Sequence, residues 1–282
     1  KVHGLVWDVG AIGNAEWAGV SLKDVLDYCG LDENNAEIDH IWFEGLDLDA
    51  DKGAYGASIP VEKALHKRGD VILAYEMNGQ PLPRDHGYPL RAVCPGIVGA
   101  RNVKWLGTIR LSESESPSHW QQKDYKGFGP NESLEKLQWD RAPSIQSLPV
   151  QSAISFPEDG TKIDALAHDE FVVTGYAYAG NGRNIIRVDV SKDGGKTWDQ
   201  AILKKPISEA RERAWSWTVW EYPIQIDDSK SFDIVVKATD SGYNVQPETT
   251  SPIWNARGVL SNAWHHVHVD IEGNDDSDED QL

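Results

Sequence analysis

The stretch RDHGYPLRAVCPGIVGARNVKWLG, residues 84–107, decides how the rest of this chain is read. Between Arg84 and Arg110 stand five lysines and arginines (Arg84, Arg91, Arg101, Lys104 and Arg110) against one acid, Asp85. The 282-residue chain as a whole carries a formal net charge of -18. Gly87, Gly96, Gly99 and Gly107 allow close backbone approach. Pro83, Pro89 and Pro95 fix turns and remove amide donors. Guanidinium and ammonium groups bind oxyanions through charge-assisted hydrogen bonds. At ~4 Å and an effective dielectric of ~20 each contact is worth about 4 kcal/mol before desolvation, which takes much of it back. Several donors must therefore converge. Scattered surface arginines are one reading of the segment; a glycine-lined cradle for an anionic cofactor is the other.

Working outward, residues 1–112 read as mixed α/β. VSLKDVLDYCG (20–30) predicts a short helix, with Ser21 as its N-cap and Gly30 as its stop. SIPVEKALHKRG (58–69) predicts another, with Pro60 near its first turn. HIWFEGLD (40–47) and DVILAYEMNGQPL (70–82) predict strands, the second turning at Asn78-Gly79. Residues 113–145 form a polar linker rich in Ser, Pro and Gly. It is too long for a plain loop and carries His119, Trp120, Tyr125 and Phe128. Those aromatics either pack across a domain junction or line a site. From 146 to 270 short strands alternate with turns: 150–155, 170–178, 184–191, 214–222 and 232–240. In NIIRVDVS, Ile186, Val188 and Val190 alternate with Arg187 and Asp189, as in a half-buried strand, and KDGGKTW (192–198) is a hairpin turn. The spacing predicts an immunoglobulin-like antiparallel β-sandwich. The acids from Asp270 onward predict a disordered tail over 271–282. Without those seven acids the chain is still at -11, which speaks against non-specific binding to nucleic acid or an anionic membrane.

Other candidate groups are fewer. Cys29 and Cys94 are too few for a disulfide framework, and both read as small buried apolar residues. His86 is a structural residue or, as a neutral imidazole, a donor to a phosphate or pterin-type ligand. His265, His266 and His268 read as a strand with mixed faces rather than as a metal set. Arg257, flanked by Trp254 and Gly258, is a plausible anion anchor.

GQPLPRDHGYPLRAVCPGIVGARNVKWLG, SHWQQKDYKGFGP, LPVQSAI, IRVDVSKDGGKTW and NVQPETTSPIWNARGVLSNAWHHVHV follow one another in the chain. Together they resemble the eukaryotic sulfite oxidases, the animal members more than the plant ones, over nearly all of Trp7 to Val269. The resemblance implies an α+β chain: part of a sulfite-oxidase-type molybdopterin domain, then an immunoglobulin-like dimerisation domain. It implies molybdenum held by a pyranopterin dithiolene bearing a phosphate, with Asp47, His86, Arg91, Asn102, Val103 and Lys104 as cofactor contacts. It also implies Tyr125 beside the metal, Trp7 lining the substrate pocket and Arg257 binding the substrate oxyanion. Ala256 stands where the family usually has Leu.

The implied activity is two-electron oxidation of sulfite to sulfate. Electrons would pass to a b-type haem, expected in a further N-terminal domain, and then to cytochrome c. The implied state is a homodimer of the mitochondrial intermembrane space, with no nucleic-acid or membrane partner. The family's metal-ligating cysteine is expected upstream of Lys1, so neither Cys29 nor Cys94 matches it, and the chain alone is expected to be inactive. Nitrate reductases share the fold and cofactor but usually have Met where Arg257 stands. A catalytically inactive dimerisation fragment is the rival reading from outside enzymology.

Overall fold

The Ser21 hydroxyl accepts the backbone N–H of Asp24 at 3.3 Å and caps a helix over Leu22–Tyr28, whose Leu22 and Leu26 are buried. The computed structural model describes residues 7–31, 37–204 and 213–273. Beneath that helix the strand Ile72–Met77 pairs antiparallel with Trp17–Ser21, Gln80–Pro81 and Arg91–Val93. Asn78 and Gly79 turn the hairpin with φ of 53° and 71°, the left-handed geometry a tight turn needs. A second antiparallel sheet runs Gly53–Pro60, His40–Asp49, Leu106–Ser112. Leu22, Ile41, Phe43, Ile59, Ala92 and Val103 form the core shared by these elements.

One expectation for this half needs correction. Residues 58–60 end a strand, and the helix covers only Val61–Leu65. Strand Gly53–Pro60 is small-residue and buried on both faces from Gly56 to Ile59, so it shows no alternation to read. The described α-helices are short, as expected, at seven, five and four residues, and antiparallel sheets carry this segment.

The second core lies in a β-sandwich. One sheet runs Ile202–Lys204, Thr218–Gln225, Glu170–Tyr178, Gln151–Phe156. The other runs Asp199–Gln200, Ile185–Ser191, Ser231–Asp240, His265–Glu272, Thr161–Asp164, antiparallel except for its last pair. Val173, Val188, Trp220, Ile234 and Val269 are fully buried between them. Gly175 is required here, because a Cβ would collide with the Trp220 ring and the Ala153 carbonyl. At the KDGGKTW turn Asp193 accepts from the hydroxyl and backbone N–H of Thr197 and from the N–H of Lys196. The last strand extends to Glu272, so Ile271 and Glu272 belong to the sheet and not to a tail; residues 274–282 lie outside the described residues. No described helix is long and apolar enough to cross a membrane.

The two cores are joined by a small polar latch. Asp70, at a positive φ of 51°, accepts from Arg213 Nε at 2.7 Å and Trp215 Nε1 at 2.6 Å, and Arg213 Nη2 closes the ion pair. Lys63 Nζ stands 4.4 Å over the Trp215 ring. That ring fills the space against Gly96, whose carbonyl accepts from Asn181 N at 3.0 Å. Partial burial pushes the Asp70 carboxyl up, but the hydrogen bonds from Arg213 and Trp215 outweigh it and hold it below its ordinary value. A carboxyl depressed in the fold stabilises it above the unfolded carboxylate range, and that contribution is lost as pH falls through the folded value. Asp70→Asn is therefore expected to cost about 1–3 kcal/mol at neutral pH and to lose less additional stability on acidification than wild type. Denaturant titrations at pH 7 and pH 3 check this; equal acid sensitivity of the two proteins would contradict it.

Candidate functional site

Residues 84–104 fold back on themselves, and their cations brace the loop from inside. Arg84–His86 make a single 3-10 turn that ends at Gly87, whose φ of 110° admits glycine alone without strain. A Cβ at Gly87 would stand 3.0 Å from the Lys104 Cβ and 3.1 Å from the Arg91 Cβ, so the three residues meet side by side. Lys104 Nζ donates to the Asp85 carbonyl at 2.7 Å and lies 4.5 Å over the Trp105 ring. Arg91 donates to the carbonyls of His86 at 3.0 Å and Asn102 at 3.3 Å, with its guanidinium 4.7 Å over Trp17. Both cations keep N–H groups beyond these bonds, and His86 is exposed beside them.

The remaining candidate contacts differ in what they offer. Asn102 spends both ends of its amide inside the loop: Oδ1 accepts from Cys94 N at 2.6 Å and Nδ2 donates to Val98 at 3.1 Å. Val103 packs its side chain in the core, and its carbonyl accepts from Ala92. Either residue would meet a ligand through its backbone. Asp47 Oδ1 is buried with no hydrogen-bond partner. A buried acceptor left unpaired is costly and calls for a donor. Gly45 leaves room for it, since a Cβ there would fall on Asp47 Oδ1. Cys94 is fully buried, which pushes its thiol up to about 12 and makes it a packing residue. Cys29, expected to be buried, is exposed at the C-cap, just past the last turn of its helix.

A second cluster assembles around Tyr125. Arg257 reaches it from the sandwich, from a turn built by Asn255: Oδ1 accepts Arg257 N at 3.1 Å and Nδ2 donates to Val259 at 2.9 Å. Its guanidinium donates to the Asp124 carbonyl and to Asp124 Oδ1, both at 2.7 Å. The aromatic ring against it is Trp139 of the linker, at 5.2 Å, and not the exposed Trp254 that precedes it in sequence. Burial raises the Tyr125 phenol above its ordinary value; Asp124 adds to this, while Arg101 and Arg257 pull it down. Tyr55 packs against Trp120, ring centroids 4.7 Å apart and planes tilted by 41°, and feels both Asp47 and Tyr125, which links the two clusters.

The linker therefore packs across the junction and contributes to the cluster as well. Trp7 is exposed, and its neighbour Val9 accepts the Tyr176 hydroxyl of the sandwich at 2.9 Å. Reading the sequence alone misses Tyr55, Arg101, Asp124 and Trp139. Only Arg101 carried a signal, as one of the cations of the basic stretch. Of the three histidines, His265 accepts from Ile154 N at 3.2 Å, while His268 lies between Asp233 at 2.6 Å and Asp270 at 3.2 Å.

Residues 1–120 match the model of the oxidoreductase molybdopterin binding domain, and residues 142–272 that of the Mo-co oxidoreductase dimerisation domain. Sulfite oxidase of Arabidopsis thaliana is 42% identical over 279 residues, which cover 95% of this chain and 70% of that protein. The chain belongs to the sulfite oxidase family. Human mitochondrial sulfite oxidase is 54% identical over 270 residues, covering 95% of this chain and 49% of that protein. The chain thus spans about half the length of the animal relatives it matches. Among solved structures the family fold recurs in the sulfane dehydrogenase SoxCD of Paracoccus pantotrophus. That likeness has a TM-score of 0.70 at 28% identity and covers 89% of this chain and 59% of that one.

The geometry at Gly87 has a direct consequence. Gly87→Ala forces a left-handed backbone on a residue with a Cβ and presses it on Lys104 and Arg91, at an expected cost of about 1–3 kcal/mol. A thermal melt checks this: the midpoint should fall by a few degrees, and an unchanged midpoint would show the loop to be looser than described.

Proposed function

We propose that the protein carrying this chain is a molybdenum-dependent sulfite oxidoreductase that converts sulfite to sulfate. The observation that carries the reading is Arg257, delivered from the sandwich to the segment that bears Tyr125. A molybdenum–pyranopterin supplies the two-electron redox chemistry when bound, and the protein supplies binding and electrostatics. The residues present fit such a group. His86, Arg91 and Lys104 offer donors to its phosphate-bearing end, with the backbone at Asn102 and Val103 beside them. Asp47 Oδ1, buried without a donor, suits a pterin N–H. Cys94, held as a thiol, is unsuited to ligate the metal.

The chain's own residues then divide the work. Sulfite is an oxyanion, and Arg257 attracts and orients it. Asp124 holds part of the guanidinium, so the arginine is presented in one direction and its charge is partly balanced. Tyr125, a phenol at neutral pH whose ionisation burial pushes further up, donates a hydrogen bond to the anion and can pass a proton at its hydroxyl. Trp7 stands as the pocket's lining residue. In this reading residues 1–112 are part of the cofactor domain, 113–145 bring Tyr125 to it, and 146–270 form the dimerisation domain of a homodimer. Electrons leave to a b-type haem and cytochrome c in the mitochondrial intermembrane space. Arg257 favours sulfite over the nitrate reductase alternative, because it offers charge and a fork of donors to an oxyanion of higher charge.

In the holoenzyme, Arg257→Met is expected to raise the sulfite KM by roughly tenfold or more, the cost of removing a charge-assisted contact. Steady-state kinetics at fixed ionic strength checks this, and a KM equal to wild type would remove Arg257 from the substrate site.

A further inference from the structure

We infer that Arg101 is the positioning residue of Tyr125, fixing the tyrosine to the cofactor-binding loop so that loop and phenol are held as one piece. The inference rests on the reading of Tyr125 and of the 84–104 loop given above. Arg101 is fully buried, at 0% exposure, where a charged side chain is seldom found. It closes the 3-10 turn Gly99–Arg101, and the next residue, Asn102, ties into the loop through Cys94 N, Val98 O and Arg91. Its own fork leaves in the other direction and donates to three carbonyls of the linker. Nε meets Ile145 at 3.0 Å, Nη1 meets Trp120 at 3.2 Å, and Nη2 meets Tyr125 at 3.2 Å. The guanidinium carbon sits 5.8 Å from the Tyr125 ring centroid.

Tying the linker down does not by itself require a charge. Gln121, also fully buried, does similar work with a neutral amide, bonding the backbone N–H of Ser58 at 3.1 Å and the hydroxyl of Ser144 at 3.1 Å. Among the described residues no carboxylate forms an ion pair with Arg101; its direct hydrogen bonds are to carbonyls, and Glu115 and Asp124 act on it only at a distance. A buried charge without a partner is expensive to keep. What it faces accounts for its presence: Tyr55, Glu115, Tyr125 and Asp124 all lie within its field, and two of these are tyrosines. It opposes Asp124 at the phenol, so that Asp124 and Arg101 bias Tyr125 in opposite senses. Arg257 holds the Asp124 carbonyl while Arg101 holds the next one, at Tyr125. The peptide between the two is gripped from both sides.

The test is a double-mutant cycle in the full-length holoenzyme. Tyr125→Phe lowers kcat. Arg101→Lys keeps the charge and loses the fork; it is expected to leave the thermal midpoint within a few degrees and the sulfite KM within about twofold, and to lower kcat roughly tenfold. Because Arg101 acts through Tyr125, the double variant should be no slower than Tyr125→Phe alone. A double variant slowed by the product of the two single effects, or Arg101→Lys at full kcat, overturns the inference. If Tyr125→Phe leaves kcat unchanged, the reading of Tyr125 fails first and takes this inference with it.

A second readout does not depend on turnover. With ring-labelled tyrosine, the NMR resonance that disappears in Tyr125→Phe reports the Tyr125 phenol. Its titration should move to higher pH in Arg101→Met, where the opposing charge is gone, and an unmoved titration counts against the inference. If Arg101→Met does not fold, Arg101→Gln removes the same charge and supplies the same measurement.

Discussion

Two consecutive carbonyl oxygens, those of Asp124 and Tyr125, are each held by an arginine from a different part of the molecule. Arg257 arrives from a turn between the sandwich strands Ser231–Asp240 and His265–Glu272, and Arg101 from the loop that carries the basic residues. Neither carbonyl belongs to a helix or a strand; besides the arginines, the Tyr125 carbonyl accepts the backbone N–H of Ile145 at 2.9 Å, next to the isolated bridge between Lys126 and Ser144. Buried carbonyls must find donors, and a guanidinium offers several in a rigid plane. The position of Tyr125 thus depends on both cores being folded and docked. The latch at Asp70, Arg213 and Trp215 keeps that docking, well away in sequence from the residues it serves.

The charge distribution follows from the same constraint. In a chain at -18, the cations near the site are drawn inward, bonded to carbonyls and stacked on rings. Arg91, Lys104, Arg101 and Arg257 each touch at least one backbone oxygen. Their positive field is therefore preorganised, and an anion entering it does not have to order flexible side chains. The acidic remainder leaves this region as the place where an oxyanion is welcome.

Much of the fold was open to reading because its signals are local. Alternation along EFVVTGYAY gives a strand whose bounds coincide with Glu170–Tyr178, and Asn78-Gly79 marks its turn through φ alone. Ser21 announces its helix by one hydrogen bond. Gly53–Pro60 was hidden because a strand of small residues buried on both faces has no period to detect. The site was legible only in part, for a different reason. Its basic stretch can be seen in sequence, but which cation faces solvent, which braces a loop and which is buried is decided by tertiary contacts. Arg257 was read against Trp254 because they are neighbours in the chain, yet the ring it meets, Trp139, lies more than a hundred residues away. Asp124 gave no signal, since its role exists only when Arg257 arrives.

The central claim is that one oxyanion site is built jointly by Arg257 of the sandwich side and Tyr125 of the linker. The most direct measurement is a crystal structure of the full-length holoprotein soaked with sulfate, the proposed product. The account predicts a sulfate with oxygens at hydrogen-bond distance from both the Arg257 guanidinium and the Tyr125 hydroxyl. A sulfate bound only elsewhere, with Arg257 turned away from Tyr125, would contradict it.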